Sequence, residues 1–146
     1  MQNIEISKIK GKKIKLDFKD SKYATGRRKR SIAKVWVKKG SGKIHVNGLL
    51  MKDYFKRPVH QIIVTRPLEI SDVSTNYDVK CSVKGGGLSG QAGAIILGIS
   101  KALIAHDENL KKNLKKDKLT TRDSRVVERK KYGHRKARRS FQFSKR

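Results

Sequence analysis

The chain has 146 residues, enough for one compact domain with extensions and too few for two well-packed cores. Its 38 Lys and Arg against 12 Asp and Glu give a formal net charge of +26, whereas a magnitude of roughly 2 to 8 keeps a small domain soluble. The repulsion among so many positive charges predicts a polyanionic partner. No apolar run approaches the roughly 20 residues of a membrane span, so a membrane protein is not among the expected classes.

The first segment, residues 1–22, alternates isoleucines and lysines imperfectly. We expect an N-terminal extension here, either an arm or an added edge strand. The segment has no apolar core of a secretory signal, and it contains no Arg, unlike a transit peptide. No targeting function is therefore expected of it.

A basic cluster at residues 27–30 comes just before the first predicted strand. Residues 33–38 alternate an apolar side chain with a polar or aromatic one, which is the pattern of a half-buried strand. Gly40-Ser41-Gly42 is expected to turn the chain into Lys43–Val46. Together these segments predict a hairpin.

Two short helices are predicted next. Leu49–Phe55 has helical spacing and stops before Pro58. Val59–Val64 repeats the pattern and is expected to end before Pro67, because proline cannot donate a backbone hydrogen bond and clashes with the preceding helical turn.

Tyr77–Val83 shows the clearest strand alternation in the chain, with Cys81 on its apolar side. As the only cysteine, Cys81 allows no internal disulfide, so it indicates a reducing compartment and is expected to be a small core residue. Ala92–Ala105 is predicted to be the main buried helix, and a shorter basic helix contains Leu110 and Leu114. Beyond Thr120 the periodicity disappears.

These elements predict an α+β fold, a small sheet with helices packed on one face, followed by an extended basic C-terminal tail. The expected organisation is an N-terminal extension at 1–22, a globular domain at 23–121 that binds the polyanionic partner, and the C-terminal tail at 122–146.

The end of the tail, residues 129–146, holds nine Lys or Arg and no acid, with Tyr132, Phe141 and Phe143 among the charges. Guanidinium groups suit phosphate oxygens and aromatic rings suit unpaired bases, so RNA is the expected partner. A solvated tail, or one whose two Phe pack back onto the domain, is the alternative. The complete lack of acids favours RNA, because solubility alone does not require it.

The turn after the last strand suggests an alternative, enzymatic interpretation. Gly85, Gly87 and Gly90 match G-x-G-x-x-G, and Asp107 and Glu108 follow at the distance of a ribose ligand in a dinucleotide fold. No strand pattern follows the helix, and the Lys of a P-loop is missing, so the match is weak. We expect the glycines to pack the helix closely on the sheet, so that valine at Gly87 or Gly90 would destabilise the fold, with helix N–H groups facing an RNA phosphate.

Other catalytic or metal-binding patterns are absent from the sequence. His45, His60, His106 and His134 are scattered, and His45 is expected to face solvent from a strand. Acids such as Asp78 are interpreted as caps, turns or ion-pair partners. We expect no enzyme, no metal, no cofactor and no small-molecule substrate. A DNA-compacting protein would be equally basic and stays as the second alternative.

Several motifs resemble one known family in order along the chain. They are Thr25–Lys29, Lys80–Ala94, Thr121–Arg125, Glu128–Lys131 and Gln142–Arg146. From residue 23 to its end the chain is similar to the bacterial-type small ribosomal subunit protein nine family. It departs from the family pattern at Tyr132 and Phe141, where proline is usual.

The resemblance implies a fold like the second domain of ribosomal protein five and a structural role in the small ribosomal subunit. It implies binding to ribosomal RNA in the subunit head, beside neighbouring head proteins, in a bacterial cytoplasm or the matrix of a mitochondrion or plastid. It also implies that the end of the tail contacts peptidyl-site tRNA during translation through Lys145 and Arg146. The rRNA contacts expected from charge and placement are Arg27, Arg28, Lys29, Arg30, Arg122, Arg125, Arg129, Lys130, Lys131, Arg135, Lys136, Arg138 and Arg139.

Overall fold

The structure is a computed structural model that describes residues 18–144. Most of the predicted extension, and both Lys145 and Arg146, lie outside the described residues. The strands are β1 (Lys22–Arg28), β2 (Ser31–Lys39), β3 (Ile44–Val46), β4 (Leu49–Leu50) and β5 (Tyr77–Lys84). The helices are α1 (Met51–Tyr54), α2 (Pro58–Ile70), α3 (Leu88–His106) and α4 (Lys111–Lys116), with a 3-10 turn at Glu108–Leu110 before α4.

The five strands form one mixed sheet in the order β1-β2-β5-β3-β4. β1 pairs with β2, β2 with β5, and β4 with β3, all antiparallel, whereas β3 runs parallel to β5. The helices pack on one face of this sheet, with α3 lying against β1 and β2. The predicted α+β fold is therefore confirmed.

The hairpin predicted at residues 40–42 is wrong, because β5 lies between β2 and β3. The Asp78 carboxylate explains the path of the turn: it accepts hydrogen bonds from the N–H groups of Ser41 (2.9 Å) and Lys43 (2.8 Å). These hydrogen bonds fix the turn to β5, so the chain crosses from β2 on one side of β5 to β3 on the other. One hairpin joins β1 to β2 through Lys29 and Arg30, with Lys29 at φ 51°, and a second joins β3 to β4 through Asn47 and Gly48.

Two other boundaries differ from the prediction. α2 continues through Pro67 to Ile70, because Pro67 and Leu68 are buried and their packing offsets one lost helical hydrogen bond. Leu49 and Leu50 form the short strand β4, so the first helix begins only at Met51.

The core follows the predicted alternation. Ala33, Val35 and Val37 of β2 are fully buried, and so are Ile95 and Ile99 of α3. α3 is long and apolar enough to cross a membrane by length and composition, but 56% of its apolar window is buried inside the fold, which is the pattern of a core helix. Cys81 is buried as predicted, and burial raises the pKa of its thiol, so the thiol stays protonated and unreactive.

Close packing of α3 on the sheet does depend on glycine, at Gly90 as expected and also at Gly26 and Gly98. A Cβ at Gly26 would collide with the backbone carbonyl oxygen of Ala94, and one at Gly98 would lie 2.5 Å from a Val35 methyl group. At Gly90 it would lie 2.9 Å from the Ser31 hydroxyl. Nothing lies within 4 Å of a Cβ at Gly87, so the predicted clash there is wrong.

Candidate nucleic-acid interface

The first basic cluster lies on the β1–β2 hairpin instead of before it. Arg27 and Arg28 belong to β1, and Lys29 and Arg30 form the turn. Successive strand residues face opposite sides of a sheet, so Arg27 lies on the face without helices while Arg28 extends over Gly93 of α3. Arg27, Lys29 and Arg30 are exposed, whereas Arg28 is half-buried.

Arg28 fixes the start of the C-terminal tail to the domain. Its Nη2 lies 3.0 Å from Asp123 Oδ2, and its Nη1 donates a hydrogen bond to the Arg125 carbonyl oxygen at 2.9 Å. The Arg125 guanidinium also binds Asp123, at 2.7 Å. This three-residue cluster brings the cations of the hairpin and those of the early tail to one end of the domain.

Both carboxylates of the tail are neutralised by arginines. Hydrogen bonds from the Arg125 side chain and N–H, with the charge of Arg28, hold the pKa of Asp123 well below its usual range. A hydrogen bond from Arg138 likewise lowers the pKa of Glu128, and the two side chains lie 2.6 Å apart. Within the described tail no carboxylate is therefore left unpaired to repel a phosphate.

The predicted rRNA contacts fall into two groups. Arg28, Arg125 and Arg138 pair with carboxylates. The others form no salt bridge within residues 18–144: Arg27, Lys29, Arg30, Arg122, Arg129, Lys130, Lys131, Arg135, Lys136 and Arg139. All of this second group are exposed. They are available to phosphate, while the first group positions the chain.

We expect Asp123→Asn to release the start of the tail. At neutral pH the lowered pKa keeps Asp123 charged; its contact is present above the ordinary carboxyl pKa and is lost as the pH falls toward the lowered value. Because the ion pair is partly exposed, removing it should raise the rate of tryptic cleavage within residues 122–131 by up to about fivefold. Asp117→Asn, at an exposed carboxylate after α4, is the control. Equal cleavage rates in both variants would show that the cluster does not hold the tail.

The aromatic side chains of the tail are exposed. Tyr132 is 95% exposed, Phe143 87% and Phe141 58%, and the Arg135 guanidinium lies 5.6 Å from the Phe141 ring centroid. A π-face next to a guanidinium is an arrangement that an unpaired base can join by stacking.

The glycine-rich turn does not form a dinucleotide site. Gly85 and Gly86 have φ of 74° and 60°, and the Ser31 hydroxyl donates to the Gly85 carbonyl oxygen at 3.0 Å, so the turn packs on β2. Asp107 and Glu108 lie at the other end of α3, about 28 Å away along the helix axis. The turn instead borders an open groove of about 810 Å³, which Lys29, Arg30 and Arg57 also line.

The histidines are separate from one another. His45 is 6% exposed in β3, so the prediction that it faces solvent is wrong; its cross-strand neighbours on the same face, Lys80 of β5 and Leu50 of β4, flank its ring. His60 is buried and bonds Ser89 at 3.0 Å, His106 packs on Tyr77, and His134 bonds Ser140. Nowhere in the described part of the chain do three His, Cys, Asp or Glu side chains gather as metal ligands.

Sequence reasoning missed one surface, the face of the sheet opposite the helices. Tyr23 and Trp36 are cross-strand neighbours there, with ring centroids 5.3 Å apart. The alternation of residues 33–38 had already placed Trp36 beside Lys34 and Lys38. Tyr23 could not be added, because β1 carries no apolar alternation.

The family model described as Ribosomal protein S9/S16 matches residues 26–146. The match begins in β1 and includes the basic hairpin, the glycine-rich turn and the whole tail, which are the features of the candidate interface. The chain therefore belongs to the ribosomal protein S9/S16 family, and it is a non-enzymatic structural component of the ribosome that binds ribosomal RNA.

Proposed function

We propose that this protein binds rRNA in the head of the small subunit and extends its tail to the tRNA in the peptidyl site. One observation supports this most: the Arg28–Asp123–Arg125 cluster gathers the hairpin and the early tail at one end of the domain. A surface of exposed cations concentrated there suits the phosphates of a folded RNA.

The residue assignments divide by charge pairing. The ten predicted rRNA contacts that are exposed and form no salt bridge in the described chain are the proposed phosphate ligands. Arg28, Arg125 and Arg138 are proposed to fix the conformation of the tail and not to bind phosphate, since each already forms an ion pair with a carboxylate. This division has a measurable consequence, because only a cation that releases counterions on binding contributes to the salt dependence of affinity.

The proposed organisation is a body at 23–121, which contacts rRNA with one end, and a tail at 122–146, preceded by the extension 1–22. In support, the described residues after α4 contain neither a helix nor a strand, only an isolated bridge between His134 and Ser140. The tail is almost entirely exposed over residues 122–144. A segment with so little burial gains its order from a partner.

Reach supports the tRNA assignment. The tail is fixed to the body at Arg125, and 21 residues follow it. An extended chain spans about 3.3 Å per residue, so its end can lie up to about 70 Å from that point when the Glu128–Arg138 ion pair opens. While the pair is closed, the eight residues after Arg138 still span about 26 Å. Lys145 and Arg146, the residues that the family resemblance places beside the tRNA, are therefore within range of a second RNA while the body holds the first.

The bacterial-type motifs also suggest the compartment. We infer that the ribosome is of the bacterial type, in a bacterial cytoplasm or in the matrix of a mitochondrion or plastid. Neighbouring proteins of the subunit head are its proposed protein partners.

Deleting Lys145 and Arg146 tests the tRNA contact. Folding and subunit assembly should be unchanged, because the other cations still bind the rRNA. Affinity of initiator tRNA for programmed small subunits should fall by about 5- to 150-fold, as expected for loss of two charge-assisted phosphate contacts worth about 1 to 3 kcal/mol together. Filter binding across a salt series measures it.

The matched control keeps both positive charges and the length of the tail. The double variant Lys145→Arg with Arg146→Lys should retain most of the affinity, since only the order of the two cations changes. If the deletion left both the affinity and its salt slope unchanged, the end of the tail would not touch the tRNA.

A further inference from the structure

The face of the sheet opposite the helices carries a row of side chains across its strands. Tyr23 of β1 lies beside Trp36 of β2, and Trp36 lies beside Lys80 of β5. The next residue of that row, His45 of β3, is buried, so the accessible part of the row ends at Lys80. The helices pack on the other face, so no described helix covers this row.

Two rings of the row form an aromatic surface. The Tyr23 and Trp36 centroids are 5.3 Å apart with planes tilted by 43°, and Tyr23 is 49% exposed. The ammonium group of Lys80 lies 5.8 Å from the Trp36 centroid and 5.7 Å from the Phe18 centroid. Lys80 therefore supports the Trp36 ring from one side, while the Tyr23 ring stays accessible to a ligand.

The charge around the rings is positive. Arg27, Lys34, Lys38 and Lys84 are exposed on the same face. Asp78 is its only acid among the described strand residues, and that carboxylate accepts hydrogen bonds from Ser41 and Lys43. Burial of the Asp78 carboxylate would raise its pKa, but the hydrogen bonds from Ser41 and Lys43 outweigh this effect and lower the pKa.

We propose that this face is a stacking platform for unpaired rRNA bases, in which Tyr23 and Trp36 hold bases and the surrounding lysines hold the backbone. Rings that stack any base, set among cations, are the usual components of a single-strand site. The proposal rests on the rRNA binding of the family and does not depend on the tail. Residues 1–17 contain five Lys and two acids, so their charge has the same sign as the platform and an RNA is the complementary occupant.

The chain has a single tryptophan, Trp36, so its fluorescence reports on this face alone. We expect a single-stranded oligouridylate, added to the full chain, to quench Trp36 emission as a base stacks. Tyr23→Leu keeps apolar bulk without a π-face and should weaken the binding measured by quenching about 5- to 100-fold. Tyr23→Phe should retain it. Thermal unfolding of both variants identifies any effect on the fold.

Three outcomes would overturn the platform. The first is Trp36 emission that saturating oligouridylate leaves unchanged. The second is a Tyr23→Leu variant that binds oligouridylate as tightly as the unaltered chain. The third is Trp36 emission that acrylamide does not quench in the absence of RNA and that added RNA does not change. The last would assign the face to residues 1–17. Deleting Lys145 and Arg146 should leave the quenching unchanged, and Tyr23→Leu should leave tRNA retention unchanged, so failure of either proposal is distinguishable from failure of the other.

Discussion

Removing residues 129–146 is expected to reduce the slope of log K for RNA binding against log salt by roughly 3 to 4. This assumes that the segment contacts about five phosphates, each of which contributes ~0.7 to the slope. The segment holds nine Lys or Arg and no acid. Over a fourfold rise in salt, such a slope difference amounts to about 100-fold in relative affinity.

The structure adds a second effect to this deletion. It removes Arg138, the partner of Glu128, and so leaves a carboxylate beside the remaining cations. Combining the deletion with Glu128→Gln should recover part of the affinity of the shortened chain, since the unpaired carboxylate repels phosphate. The measurement is equilibrium binding to small-subunit rRNA at several salt concentrations.

The control separates charge from stacking. Phe141→Ser with Phe143→Ser removes two exposed rings and no charge, so affinity should fall while the slope stays as in the full chain. A deletion that leaves the slope unaltered would mean that the tail does not contact phosphate.

The parts of the fold that could be predicted from sequence are those where burial leaves a local pattern. β2 and β5 alternate buried and exposed residues, and both were predicted. β1 was missed because its inward residues, Ala24 and Gly26, are too small to produce an apolar alternation. The pairing of β3 was wrong because its partner β5 follows some 30 residues later, and local spacing carries no information on such a contact.

The candidate site shows the same division. Residue types predicted the RNA partner, because cations and aromatic rings occur in the tail whatever its conformation. Which cations are already paired could not be predicted: Arg28 and Asp123 are far apart in the chain, and only the fold brings them to 3.0 Å. The platform of Tyr23 and Trp36 was missed for the related reason that it needs the register of β1 against β2.

Gly26→Ser is expected to destabilise the fold by about 3 kcal/mol, the upper part of the usual range for overpacking. The added Cβ would meet the Ala94 carbonyl oxygen, and it would lie 2.6 Å from the Gly98 nitrogen. Both are backbone atoms of α3 and cannot rotate away, so the whole helix must move from β1. A loss of this size is a large part of the roughly 5 to 15 kcal/mol that stabilises a typical domain.

Gly87→Ser is the matched control, because the same side chain meets no atom within 4 Å there. Gly87 is the N-cap of α3 in extended conformation, with φ −109° and ψ 170°, where serine is a favoured residue. Urea unfolding should therefore place Gly87→Ser within about 0.5 kcal/mol of the unaltered chain, or slightly above it. If Gly26→Ser were equally well tolerated, contact between α3 and β1 would not be the constraint that requires glycine. The basic hairpin could then shift against α3 without loss of stability.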